Sequence, residues 1–320
     1  MPDAILVTGA AGFAGSHLLD LLTDEGARVV AWHRPGGTPR PGGNGAASTQ
    51  VTWQPVDLLD RDAVYRAIAD LRPSAVYHCA GAAHVGRSFE STTDTFAINV
   101  RGTHHLLEGL RQAGHQVRVV LPSSALVYEG ADVALTEEHR LLPRSPYALS
   151  KLAQEMVGRH AMSEDVQVTV ARAFNHLGPR QDPHFAASGF ARRIADIEAG
   201  RWEAEIAVGN LHAQRDLTDV RDTIRAYRLI LERGASGRAY NVCSGRAISI
   251  GNLLDMLLAR ARVAIRVRVD AVRYRPNDIP FILGDHTRIS TELGWQPQIP
   301  LERTLDDLLE FWRARSMTAA

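Results

Sequence analysis

An apolar run, Ala4-Ile5-Leu6-Val7, is followed at once by three glycines spaced G-x-x-G-x-x-G: Gly9, Gly12 and Gly15. Leucines at helical spacing come next, in Ser16-His17-Leu18-Leu19-Asp20-Leu21-Leu22, and Gly26 is a natural stop. The order reads as strand, tight turn, helix. The turn needs positive φ, the backbone must come close to a phosphate, and the helix must pack tightly on the strand. Amides at the helix start then bind a pyrophosphate. Between a clear first strand and an amphipathic helix the motif is specific. Phe13, inside the loop, joins Gly9, Gly12 and Gly15 as a cofactor-binding candidate.

The alternation continues. A second strand is expected at 28–32, a helix at 60–71, a strand at 75–79, a helix at 95–113 and a strand at 117–121. A helix at 147–162 and a strand at 166–171 follow. Strands alternating with helices imply an α/β fold, a Rossmann-like doubly wound parallel sheet covered on both faces. The second half is less regular, with helices expected near 185–199, 220–231, 250–261 and 301–314. Residues 35–50 are rich in Gly and Pro and read as a long mobile loop.

The end of the second strand usually selects the cofactor, because an acidic residue there bonds the ribose 2′-hydroxyl of NAD. Here it reads Trp32-His33-Arg34, with no carboxylate. A cationic Arg34, with His33 beside it, suits a 2′-phosphate, so NADP(H) is expected over NAD(H). Asp57 and Leu58 follow the third strand, and Ala80-Gly81-Ala82 follow the fourth, where such sheets meet adenine and ribose. Asn99, in the next helix, completes the cofactor set.

Tyr147-Ala148-Leu149-Ser150-Lys151 sets a lysine four residues after a tyrosine, on one helical face. A nearby ammonium is expected to stabilise the phenolate and lower the tyrosine pKa. The phenol then exchanges a proton with a carbonyl or alcohol near neutral pH, and the lysine can bond ribose hydroxyls. Ser123-Ser124 close the fifth strand at the edge where ligands bind, and the Ser124 hydroxyl is placed to bond the same substrate oxygen. Composition sharpens this reading. Of 36 basic residues only Lys151 is lysine, so it stands where an arginine fork would fail.

The net charge of zero argues against a protein held to nucleic acid by bulk charge. No apolar run approaches the ~20 residues that cross a bilayer, so no membrane partner is expected. Two cysteines cannot make a disulfide framework, and the start has no signal-peptide pattern, so a cytoplasmic protein is expected. None of the 13 histidines stands at metal-ligand spacing, and no metal site is expected.

With Gly9/Gly12/Gly15, Asp57-Leu58, Ser124 and Tyr147/Lys151, the whole chain resembles the extended short-chain dehydrogenase/reductase family. The resemblance implies a cofactor domain over residues 1–172, with segments near 212–246 and 286–296 returning to it. It also implies a smaller C-terminal α/β domain, mainly 173–320, that binds a nucleotide-sugar. A homodimer through the helices near 95–113 and 147–162 is implied as well. The second half is most similar to the GDP-6-deoxy-D-mannose reductase branch, on 172–179 (RAFNHLGP), 208–211 (VGNL), 215–222 (RDLTDVRD), 240–245 (YNVCSG) and 275–280 (RPNDIP).

That likeness implies a GDP-linked 4-keto-6-deoxy sugar as substrate and NADPH-dependent reduction of its C4 ketone. Asn175 and Arg215 would hold the diphosphate, with His176 and Arg180 nearby. Val208 and Asn210 would line the guanine pocket, and Arg275 with Asp278 would contact the nucleotide. Dehydratases of this family carry a glutamate two residues before the tyrosine of the stretch Ser124-Ala125-Leu126-Val127-Tyr128. Leu126 stands there and cannot take a proton, and neither Glu129 nor Glu137 matches in position. The Ser-Ala-Leu-Val-Tyr form also resembles sugar 4-epimerases, which use the same groups with a retained cofactor. A non-catalytic NADP-binding sensor is a third reading, which the intact Tyr147/Lys151 pair disfavours.

Overall fold

The computed structural model describes residues 4–38, 50–270, 272 and 279–318. Its first six strands are β1 (Ile5–Thr8), β2 (Val29–His33), β3 (Val51–Pro55), β4 (Ala75–His78), β5 (Val117–Ser124) and β6 (Val166–Ala173). Then come β7 (Asn175–Leu177), β8 (Glu205–Val208), β9 (Gln214–Asp219) and β10 (Ala239–Val242). The last three are β11 (Ala247–Ser249), β12 (Arg266–Val269) and β13 (Phe281–Ile282). Helices α1 (Phe13–Asp24), α2 (Arg61–Leu71), α3 (Val85–Glu90), α4 (Thr92–Phe96), α5 (Gly102–Ala113) and α6 (Pro146–Ala161) belong to the first half. The second half adds α7 (Ala186–Glu198), α8 (Val220–Arg233), α9 (Ile250–Leu258), α10 (Thr287–Leu293) and α11 (Leu301–Thr318).

Seven parallel strands form one sheet in the order β10-β6-β5-β4-β1-β2-β3. Direction of winding reverses between β1 and β4, where such sheets open a crevice at their carboxyl edge. The strands are apolar on both faces because both are covered. One layer packs Leu18, Leu22, Ile224, Tyr227 and Trp295 against the sheet, and the other packs Ile68, Leu106 and Leu110. Away from this sheet, β9 pairs with β7, β11 and β13, and β8 pairs with β12. A separate core joins α7, α9 and α11 through Ile194, Leu254 and Leu308.

Local chemistry sets the elements that matter for the site. Ser145 caps α6 by accepting from Ala148 N–H at 3.1 Å, and Pro146 opens the first turn. Gly158 lets α6 lie close to the sheet, since a Cβ there would sit 2.5 Å from a Leu121 methyl. The helix expected at 95–113 starts earlier, as α4, and passes into α5 through a π turn at Ala97–Arg101. The strand expected at 117–121 runs on to Ser124, so both serines lie in β5 and face opposite sides of the sheet. The loop expected at 35–50 lies mostly outside the described residues.

Behind the sheet edge, Arg172 of β6 is 2 % exposed and pairs with Glu155 of α6 at 2.8 Å. Its Nη1 also donates to the Tyr128 hydroxyl at 3.0 Å. Removing one partner strands the other as a buried charge. Arg172→Leu should therefore lower unfolding free energy by about 3–5 kcal/mol. Urea denaturation checks this; a loss below about 1 kcal/mol would contradict it.

Candidate active site

The crevice between β1 and β4 is built on glycine backbone. Gly9 has φ +63°, and a Cβ on it would lie 2.6 Å from the Ala80 backbone. A Cβ on Gly15 would collide with the Gly9 carbonyl oxygen, and one on Gly12 would stand 3.0 Å from it. No side chain caps α1 at Gly12, and its first turn holds no acid. Its leading N–H groups are therefore available to an anion, as the helix dipole favours. A pyrophosphate fits this cradle, and a dinucleotide would lie along the carboxyl edge.

The other cofactor candidates are spread along that edge. Arg34 is exposed just past β2, and its carbonyl bonds His33 Nδ1 at 3.0 Å. The Asp57 carboxylate accepts Leu59 N–H at 2.9 Å after β3. The Leu58 side chain is buried against Gly102, which leaves only its backbone to the edge. Ala80, Gly81 and Ala82 follow β4. Asn99 is fully buried, accepts from Ala82 N–H at 2.7 Å and donates to Ser150 Oγ at 2.8 Å. It thereby shapes the loop that follows β4.

Ser124 ends β5, and its Oγ accepts Leu126 N–H at 3.2 Å. The Tyr147 phenol lies next to Ser124. Burial pushes that phenol above its ordinary value, and the Ser124 hydroxyl lowers it only in part. This reverses the expected lowering by lysine. The Lys151 ammonium instead donates to Gln154 Oε1. Burial lowers Lys151 to about 8, partly opposed by Glu155 and Cys79. Tyr147 is thus a neutral acid, four residues before a lysine whose pKa burial lowers to about 8. Ser123 faces the other way and donates to Glu155 at 2.5 Å.

The facing wall comes from the second half. Asn175 is exposed at the start of β7. His176 stacks on Phe13 with ring centroids 5.7 Å apart, and burial lowers its pKa. Arg180 is anchored on α1. Its guanidinium donates to Asp20 and to His17 Nδ1, both at 2.6 Å, so it fastens α1 to the turn after β7. His17 is held down to about 4, by burial first and Arg180 second.

Val208 is buried in the apolar core of the second half, so its side chain cannot line a base pocket. Beside it, a cavity of about 390 Å³ is lined by Phe190, Arg193, Trp202 and Ala207 instead. Arg193 lies 4.0 Å over the Trp202 ring. Asn210 accepts His212 N–H at 2.9 Å, and Arg215 on β9 donates to the Gln214 carbonyl at 2.8 Å. Arg275 and Asp278 lie outside the described residues. Arg193 stands on the same face of α7 as Gly189.

The sequence matches the model of the family described as GDP-mannose 4,6 dehydratase over residues 6–308. The chain belongs to this family. It is thereby a member of the extended short-chain dehydrogenases/reductases. It is 34 % identical to the GDP-6-deoxy-D-mannose reductase of Pseudomonas aeruginosa, across 98 % of this chain and 99 % of that one. A solved structure of RMD from Pseudomonas aeruginosa complexed with NADPH superposes with TM-score 0.82 at 33 % identity, covering 98 % of this chain and 99 % of that one. The Thermus thermophilus UDP-glucose 4-epimerase complex with NAD gives TM-score 0.86 at 28 % identity, covering 97 % and 99 %. Both nicotinamide cofactors thus occur among this family member's structural neighbours. No helix among its described residues is long and apolar enough to cross a membrane.

The cradle makes a sharp prediction. Gly15→Ala places a methyl against the Gly9 carbonyl and should weaken NADPH binding at least tenfold. Fluorescence titration measures it, and unchanged affinity would show that the glycine loop does not carry the phosphates.

Proposed function

We propose that this chain reduces the C4 ketone of GDP-4-keto-6-deoxy-D-mannose to GDP-6-deoxy-D-mannose (GDP-D-rhamnose), with NADPH preferred. The observation that carries the reading is a Tyr147 phenol next to Ser124 that desolvation keeps neutral, with Leu126 where a dehydratase base would stand. When bound, the dihydronicotinamide supplies hydride to C4. Tyr147 gives its proton to the oxygen that becomes the C4 hydroxyl. Ser124 bonds that oxygen and orients it. Lys151, below its pKa of about 8, offsets the negative charge that remains on the phenol oxygen.

Elimination of water needs a base for the proton beside the ketone. Leu126 holds the matching position. Glu129 is paired with Arg140 at 3.6 Å, and Glu137 accepts Asn241 N–H at 2.8 Å. Neither acid is free for that work, which favours reduction over dehydration.

On the substrate side, Asn175 and Arg215 hold the diphosphate, and the cavity at Phe190, Arg193 and Trp202 takes the base. Arg34 at the end of β2 supports the 2′-phosphate of NADP. The chain works as a homodimer through the α4–α5 and α6 faces, a reading supported by Leu149 and Met156, which are 48 % and 64 % exposed on α6. Free Cys79 and Cys243 suit a reducing cytoplasm. The 4-epimerase alternative is favoured by the likeness to the NAD-bound Thermus enzyme, since Ser124, Tyr147 and Lys151 would serve both reactions.

Two measurements test the reading. Mixed with GDP-4-keto-6-deoxy-D-mannose, the enzyme should oxidise NADPH stoichiometrically and faster than NADH. No cofactor consumption, together with sugar interconversion, would replace it by the epimerase. Tyr147→Phe should lower kcat by ~100- to 10,000-fold with little change in NADPH affinity. Retained turnover would remove Tyr147 as the acid.

A further inference from the structure

Behind Lys151 runs a chain of buried polar groups that the reduction as described leaves unused. Gln154, one turn further along α6, is 1 % exposed. Its Oε1 accepts from the Lys151 ammonium, and its Nε2 donates to Thr103 Oγ1 on α5 at 2.8 Å. Thr103 donates its own hydroxyl proton to the Asn99 carbonyl at 2.7 Å. Its oxygen therefore only accepts, so His78 Nε2, 2.9 Å away, carries a proton. His78 Nδ1 is then an acceptor and takes the Thr8 hydroxyl at 2.8 Å.

Each proton in this run has one place. An ammonium has no acceptor, so Gln154 must turn its oxygen toward Lys151. Thr103 has no proton to offer, so the amide nitrogen must face Thr103. The amide cannot flip, and its orientation is fixed from β1 and β4, the strands that flank the glycine loop.

We propose that Gln154 is the positioning residue for Lys151. Locked through Thr103 and His78, it holds the ammonium at one point on a neutral oxygen and leaves its charge for Tyr147 and the reacting oxygen. The inference takes from the proposed reduction only that Lys151 acts as a cation there.

The charges around Lys151 support this. Cys79, at the end of β4, is pushed up to about 12 by burial and is neutral. His78 is held down to about 3, by burial first and Lys151 second, and is neutral too. Tyr147 is neutral for the same reason, burial. Glu155 is the charged neighbour, and its carboxylate is engaged by Arg172 and Ser123. A glutamate at position 154 would place a carboxylate directly on the ammonium.

Lys151 is the chain's one lysine, which makes the test direct. Protein labelled with 13Cε-lysine gives one lysine signal, and its pH titration reads Lys151 without substrate. The wild type should titrate near the value of about 8 set by burial. Gln154→Glu, close to isosteric, should raise the midpoint by about one unit or more, and Gln154→Leu should lower it. The alkaline limb of kcat should move in the same directions, with KM changing less.

An unmoved lysine signal in a folded Gln154→Glu protein would overturn the proposal. A lysine signal that moves while the wild type consumes no keto-sugar would uphold the positioning role and sink the reduction instead. If Gln154→Leu does not fold, Gln154→Glu alone decides.

Discussion

The buried contact between Glu155 and Arg172 is the one on which the working edge of the sheet depends. A buried ion pair gains little by itself, because two charges must leave water. It persists where further hydrogen bonds complete both groups. Here Ser123 serves Glu155, and Tyr128 serves Arg172. Tyr128 passes its own proton to Asn241 on β10 at 2.6 Å. One hub thus joins α6, β5, β6 and β10. It fixes the rotation of α6 about its axis, and that rotation points Tyr147 and Lys151 at the end of β5. The reacting groups are in register because the residues one and two turns behind them are pinned.

The same helix explains why a chain so rich in arginine keeps a lysine there. An arginine would need room for a planar fork and would stay charged at every pH. The site offers a narrow buried position with one amide oxygen as partner. A compact ammonium fits it, and burial lowers its pKa to about 8. Burial also raises the Tyr147 phenol. Desolvation acts on both groups toward neutrality, so the resting site holds an acid rather than a phenolate. That is the state from which reduction of a ketone begins.

What could be read in the sequence was what depends on neighbours along the chain. The glycine spacing, the strand-end serine and the tyrosine–lysine step are local, and the structure brings them to one sheet edge. Orientation across the fold was not legible. Packing turns the Leu58 and Val208 side chains into cores. Asn99 and Arg180 carry polar groups that would suit a ligand, and in the fold they meet Ala82 and Asp20. The direction of the Tyr147 shift was misread because helical spacing reports distance to a cation and is silent about burial. Gln154 was visible three residues after Lys151. Its meaning depends on Thr103 and His78, which no local pattern joins to it.

The two walls of the cleft are not independent. Phe13 belongs to the glycine loop and stacks on His176, which follows Asn175. His17, one turn along α1, meets the Pro179 carbonyl at 2.9 Å, and Arg180 closes on Asp20. On the other side of the crevice, His84 stacks on Phe185 at 4.7 Å, just before α7. The glycine loop therefore also sets the start of β7. Reductases and epimerases of this kind share a serine, a tyrosine and a lysine. Their difference must then lie in how long the cofactor stays and how the sugar can turn. Here the cofactor helix is fastened to the substrate wall at Phe13, His17 and Asp20, so both properties depend on the same contacts.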